Sequence, residues 1–589
     1  MPKKILFIMC DQLRFDYLGC TGHPSIKTPN IDALAARGVR FDRTYVQSPI
    51  CGPSRMSFYT GRYVRSHGAT WNSYPLRVGE MTLGDHLRPL GVRTVLCGKT
   101  HMRADLEGME RLGIDMDSDI GALVAECGFE VFDRSDGVVP EGAAKNPSKY
   151  KDHLKARGYE GHNPWHTAAN SGKSDDGEVL SGWLLKHASE PAAVAEEDAE
   201  TPYTTTRAIE FMEQAKDESW CLHLSFIKPH WPYIVPAPYH DMYGKADVLP
   251  VKRSEAELDD PHPLMEAYYG YRYSQAFSRD EVRNAVIPAY MGLISQIDDQ
   301  IGRLMTYLKD SGQAQDTLVV FTSDHGDYLG DHWMGEKDLF HDPSARIPLI
   351  VVDPSSQADA TRGQVVTDLT EAIDLAPTFV DFFGGKVPDH ILEGRSLLPA
   401  LHGQATKPRE YAISEYDYST RAHLRHLSPN AKSCLLTMVF DGRWKMIWVE
   451  GHRPMLFDLE TDPAEFHDLG ADEIYAPEIA RLSAAMFDWA RRQHNRVRPQ
   501  GQESLQPVPA AACGCVGGGH GDARGDSIDV KNLCKPGSKR GFVKLDFGCV
   551  HHQVWPWPNV GSHHLVRNLC MFARNDKFRA SVLSPRRLC

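Results

Sequence analysis

Four short apolar runs, each closed by polar residues, constrain this chain more than any other feature. Lys4–Met9 is apolar and partly β-branched, and it ends at Cys10-Asp11-Gln12. Val92–Cys97 ends at Gly98-Lys99-Thr100-His101, Cys221–Ile227 at Lys228-Pro229-His230, and Thr317–Thr322 at Ser323-Asp324-His325. Runs of this length and composition read as strands buried on both faces. Helical patterns lie between them, including Glu281–Lys309, where Val286, Met291, Ile294, Ile297, Ile301, Leu304 and Leu308 recur on one face. Strands alternating with helices predict an α/β fold, a large, mostly parallel mixed sheet sandwiched by helices. Open sheets of this kind gather ligand-binding groups at the carboxyl edge of their strands. The polar strand ends predict a site there.

Thr28–Gly38 predicts a helix, with Thr28 as N-cap, Pro29 at the first position and Gly38 just past the end. Gly142–Glu200 is polar and reads as an insertion or lid. Beyond residue 400, Cys434–Phe440, Trp444–Val449 and Met455–Leu459 are short runs joined by turns such as Asp441-Gly442. They predict a small antiparallel sheet, followed by a helix from about Pro477 to Arg492. The expected organisation is a catalytic α/β domain over 1–400, an α+β subdomain over 401–498, and an atypical tail over 499–589.

That tail holds six of the 13 cysteines and is net positive, whereas the whole chain is net −13. Its Cys and His spacing matches no usual zinc pattern, so it reads as disordered or as out-of-frame translation. The other seven cysteines are dispersed, which predicts reduced, mostly buried thiols. A net negative chain is a poor partner for nucleic acid. The early run Ile5–Met9 is too short for a membrane span or a signal h-region. The expectation is a cytoplasmic protein with no membrane partner, its long helices and second subdomain offering surfaces for a homo-oligomer.

Cys51-Gly52-Pro53-Ser54-Arg55 precedes a predicted helix at Ser54–Tyr59, with Pro53 near its first position. Cys51 then lies at a positive helix end, where anions bind, with the charge of Arg55 beside it. Together with Thr60-Gly61-Arg62, this stretch resembles the signature of the type I sulfatases in the alkaline-phosphatase-like superfamily. The resemblance runs in order over residues 3–490 and includes Leu456–Pro463. It implies the alkaline-phosphatase-like fold, and oxidation of Cys51 to Cα-formylglycine by a formylglycine-generating enzyme during maturation.

By the same resemblance, Asp11, Gln12, Asp324 and His325, with residue 51, hold one divalent metal ion. The commonest sulfatase pattern has Asp at the Gln12 position and Asn at that of His325. Asp-Gln with Asp-His is closer to phosphonate monoester hydrolases and choline sulfatases. Imidazole among carboxylates favours Mn²⁺ and leaves Ca²⁺ open. Lys99 resembles the residue that grips the sulfate and His101 the one that works on the formylglycine hydroxyl. Thr100 and Asn72 are read as substrate-binding. His230 and Lys337 resemble the groups beside the leaving oxygen, and Arg55 a stabiliser of the transferring group. Asp105, Trp71, Trp231 and His341 read equally as pocket or packing residues.

The implied activity is sulfate-ester hydrolysis of arylsulfatase type, with promiscuity toward phosphodiesters and phosphonate monoesters. The metal set points to phosphonate monoester or phosphodiester hydrolysis as the main activity, whereas Lys99 and His101 point to sulfate. A binding protein on a decayed enzyme fold would have lost polar strand ends, and none is missing.

Overall fold

The computed structural model describes residues 2–492 apart from 73, 138–147 and 429. The tail expected from residue 499 lies outside the described residues. Eight strands form the main sheet, in the order Val365–Val366, Val39–Phe41, Leu349–Val352, Thr317–Ser323, Lys4–Asp11, Trp220–Pro229, Arg93–Gly98 and Glu130–Arg134. Leu349–Val352 runs against both its neighbours, and the other pairings are parallel. Lys4–Asp11 is buried along its whole length. Its register sets Cys10 opposite Ser323 and Asp11 opposite Pro229, so the polar ends of three strands meet at one edge.

Alternate side chains of the central strand enter two cores. Leu6, Ile8 and Cys10 pack under the helices Pro29–Arg37, Glu200–Gln214 and Asp280–Asp310. Ile5, Phe7 and Met9 pack under Cys51–Thr60 and Leu375–Phe382. Burial on both faces explains why the strands read as continuous apolar runs rather than alternating ones.

Three local expectations are corrected. The helix at the signature begins at Cys51 itself, not at Ser54, so Pro53 is its third residue. Thr28 makes no side-chain cap to Pro29–Arg37. Its hydroxyl donates to Asp32 and accepts from Gly19 N–H. The carboxylate of Asp298, on the long helix, instead accepts from Asn30 and Ile31 N–H at 3.1 and 2.7 Å. A remote anion thus satisfies donors at the positive helix end. Gly38 is extended, with φ −122°, rather than left-handed. What it needs is closeness, since a Cβ there would stand 2.3 Å from the carbonyl oxygen of Val351.

The second sheet is antiparallel, in the order Ala412–Asp417, Leu435–Phe440, Trp444–Val449 and Met455–Asp458. The helix Ala476–Arg491 covers it through Leu482 and Met486. Its first strand was not expected from sequence, because Ser414 and Glu415 are polar and yet buried there. Of the polar insertion, the described part packs Tyr150, Leu154 and Trp165 into an apolar cluster shared with Tyr203 and Ile234 outside it. The seven cysteines of the described residues are unpaired thiols. Among the described residues, no helix is long and apolar enough to cross a membrane.

Candidate active site

Asp11 ends the central strand, Asp324 and His325 follow the next strand, and Cys51 opens the helix facing both. One ligand atom from each of these four buried residues lies within 4.8 Å of the others. The Cys51 sulfur stands 3.1 Å from His325 Nε2 and 3.6 Å from Asp11 Oδ1. It marks where the side chain of residue 51 would carry its oxygens if oxidised.

The donor set fits a divalent cation. His325 Nδ1 is 2.9 Å from the Gly326 carbonyl, and a proton held there leaves the Nε2 lone pair aimed at the two carboxylates. Gln12, with left-handed φ 67°, turns its amide the same way. Its Nε2 donates to Asp327 Oδ2 at 2.5 Å, so Oε1 faces the cluster, where it accepts from Lys337 Nζ at 2.8 Å.

Cations surround these anions. Arg55 is completely buried. Its Nε donates to Asp324 at 2.8 Å and its Nη2 to Asp11 at 3.3 Å, while Nη1 takes the Lys99 carbonyl and the Ser225 hydroxyl. Lys99 also pairs with Asp11, and Lys337 reaches the Cys51 sulfur at 3.3 Å. Burial raises the Cys51 thiol pKa, but Lys337, Lys99 and His325, helped by a hydrogen bond from His101, bring it well below the ordinary value. Burial and Cys51 likewise raise the Asp11 carboxyl, and Lys99, His230 and Arg55 pull it below the usual carboxylate range.

The remaining residues singled out from sequence fall at the rim or in support. His101 follows the strand end with left-handed φ 54°. Thr100 is buried beside it, its hydroxyl accepting from Met102 N–H. His230 holds Nδ1 2.6 Å from the Trp231 carbonyl. Asn72 Oδ1 accepts from Gly52 N–H at 2.8 Å, which ties that segment to the first turn of the Cys51 helix. Asp105 caps the helix Leu106–Leu112, and His341 is buried against the Tyr328 hydroxyl. Trp231 packs edge-on to Trp183.

Two residues that sequence reasoning missed orient the others. Asp327 aims Gln12, and Asp136 accepts from the N–H groups of Thr100 and His101 at 2.8 and 2.9 Å. Asp327 had a visible signal, a second aspartate one glycine beyond Asp324-His325. Asp136 had none.

Comparison with known proteins agrees with this geometry. The family model "Sulfatase" matches residues 3–385, and the model "N-sulphoglucosamine sulphohydrolase, C-terminal" matches 330–492. The multifunctional alkaline phosphatase superfamily protein PehA of Trinickia caryophylli is 30% identical over 549 residues, covering 85% of this chain and 98% of that protein. An arylsulfatase of Clostridium perfringens is 29% identical, over 82% of this chain and 93% of its own length. Among solved structures, a phosphonate monoester hydrolase from Silicibacter pomeroyi superposes with TM-score 0.72 at 29% identity, covering 83% of this chain and 95% of that one.

Proposed function

This chain belongs to the sulfatase family of the alkaline phosphatase superfamily, and we propose that it hydrolyses sulfate esters of arylsulfatase type, with phosphodiesters and phosphonate monoesters as further substrates. The observation that carries the reading is the crowding of Lys99, Lys337, His101 and His325 around the side chain of residue 51. Lys99 and Lys337 have partners in Asp11 and Gln12, and beyond those pairs both converge with the two histidines on one small side chain.

Formylglycine made from Cys51 supplies the nucleophile, and a divalent ion held by Asp11, Gln12, Asp324, His325 and residue 51 supplies Lewis acidity and a template. The donor set suits Mn²⁺, with Ca²⁺ as the alternative. Lys99 binds an equatorial oxygen of the transferring group, where charge is spread in the transition state. His101 accepts a proton at residue 51. His230 and Lys337 Nζ serve the departing ester oxygen, and the Asn72 amide and Thr100 line the bound ester. Arg55 has a partner inside the protein at each nitrogen. Its part is to brace both carboxylates rather than to touch the transferring group.

A second reading, phosphonate monoester or phosphodiester hydrolysis as the main activity, is favoured by the inward-facing Gln12 oxygen, by His325, and by the phosphonate hydrolase likeness. The deciding experiment assays one aryl sulfate, one phosphonate monoester and one phosphodiester, each with Mn²⁺ and with Ca²⁺. The highest kcat/KM on the sulfate is expected. A phosphonate preference of about tenfold or more, roughly 1.4 kcal/mol, would give the second reading the place of the first.

A further inference from the structure

We infer that Arg421, on the segment following the first strand of the small sheet, is a positioning residue that aims Lys337 at the leaving-group oxygen. The inference rests on the leaving-group role proposed above for Lys337. Lys337 lies in the stretch 329–338, where Leu329, His332, Trp333, Glu336 and Asp338 all take left-handed backbone, with φ from 50 to 104°. Residues other than glycine persist there only where their surroundings over-determine them. Glu336 and Asp338 flank the lysine directly. Gln12 and Cys51 receive its ammonium, and the backbone from which it reaches them is set by whatever holds those two neighbours.

Asp338 is held from the small sheet's side of the molecule. Its carboxylate is 2% exposed and receives Arg421 Nη2 at 2.6 Å on Oδ1 and 2.5 Å on Oδ2. The Tyr268 hydroxyl adds a bond at 3.2 Å. Tyr416, on the first strand of the small sheet, fixes the guanidinium in turn by accepting from Nε at 3.1 Å. The same guanidinium lies 4.9 Å over the ring of Trp71, whose chain neighbour Asn72 holds Gly52 N–H. Arg421 therefore touches the segments on both sides of residue 51, those carrying Lys337 and Asn72, without reaching residue 51 itself. Charge, planar fork and stacking surface are all used, a combination lysine lacks.

The test is a leaving-group series on the full chain, from 4-nitrophenyl sulfate to phenyl sulfate. Aryl phosphonates of the same phenols replace the sulfates if they are turned over faster. A misplaced Lys337 should matter most where the departing oxygen most needs its charge. Arg421→Ala and Asp338→Asn are expected to lower kcat/KM about 10²-fold for the phenyl ester, a loss typical of small misplacements, and far less for the nitrophenyl ester. Arg421→Lys should recover part of the loss. The double variant with Lys337→Ala should show no steeper leaving-group dependence than Lys337→Ala alone. Hydrogen exchange in 329–338 should quicken in both single variants, with metal content and the mass of the residue 51 peptide unchanged. Equal losses across the series, or unchanged exchange, would reduce Arg421 to a structural residue and overturn the inference. If Arg421→Ala fails to fold, Asp338→Asn decides alone. A Lys337→Ala variant with no steepening would instead remove the leaving-group role of Lys337, a result distinguishable from steepening in Lys337→Ala without steepening in the Arg421 variants.

Discussion

The two sheets serve the same site by different means. The eight-stranded sheet presents chemistry directly, because its parallel strands end together and their last residues face one space. The small antiparallel sheet supplies none of the four clustered donor residues. It contributes buried ion pairs and hydrogen bonds that hold the loops the large sheet leaves hanging. Lys445 is completely buried and joins Asp342 at 2.7 Å, Glu465 at 2.6 Å and the Phe340 carbonyl at 3.1 Å. Glu415 accepts from Arg65 N–H, and its own N–H donates to the Gln47 carbonyl, in the segment that leads into Cys51. One sheet displays reacting groups, and the other fixes where they point.

If that division holds, substitutions at the large sheet's edge should cost rate and substitutions in the small sheet should cost stability. Cys51→Ala is expected to have the largest effect, lowering turnover by at least about 10⁴-fold, as removing a nucleophile does. Steady-state assay on the preferred ester checks it, and activity near wild type would exclude residue 51 as the nucleophile. Asp11→Asn and Asp324→Asn come next, each expected to lower rate by about 10²-fold or more and to release metal on dialysis. Elemental analysis showing full metal in both variants would break the ligand assignment.

Lys445→Ala should destabilise by about 3 kcal/mol, since it leaves the buried Glu465 carboxylate without its cation and Asp342 with Arg346 alone. Denaturant midpoints with unchanged slopes measure it, and no shift would mean the small sheet is merely appended. The smallest effect concerns pH. Burial raises the Glu415 carboxyl from 4.5 to about 7, so the folded chain holds that proton more tightly than the unfolded one. Stability from this group is present below pH 4.5 and is lost as pH rises to about 7. Glu415→Gln, neutral throughout, should flatten that slope in stability measured from pH 4 to 8. An unchanged slope would assign the pH dependence to other groups.

The same division explains what was legible in the sequence. Asp11, Lys99, His230 and Asp324 each follow an apolar run, so a one-dimensional pattern already placed them at strand ends. The mixed sheet, with its helices on both faces, followed from the spacing of those runs. Asp298 on Asn30 and Ile31, Asp338 on Arg421 and Asp136 on the His101 backbone escaped detection. Each is a contact between distant or irregular segments whose chemistry appears only once the chain has folded. The strand Ala412–Asp417 escaped for a related reason. A buried glutamate and serine disguise it as surface.

All ten residues from Cys51 to Thr60 are buried, and Cys51 itself is 1% exposed. An enzyme that converted this thiol to an aldehyde would have to bring its own reactive groups up to the sulfur, a closer approach than a small ester needs and one that a 1% exposed side chain offers poorly. Under the formylglycine proposal, maturation then becomes a matter of timing. The conversion would occur while this segment is still an open chain, in competition with the collapse of the sheet behind it. A molecule that folded first would keep its thiol, and the yield of active protein would depend on how fast the helix packs relative to how soon the modifying enzyme arrives.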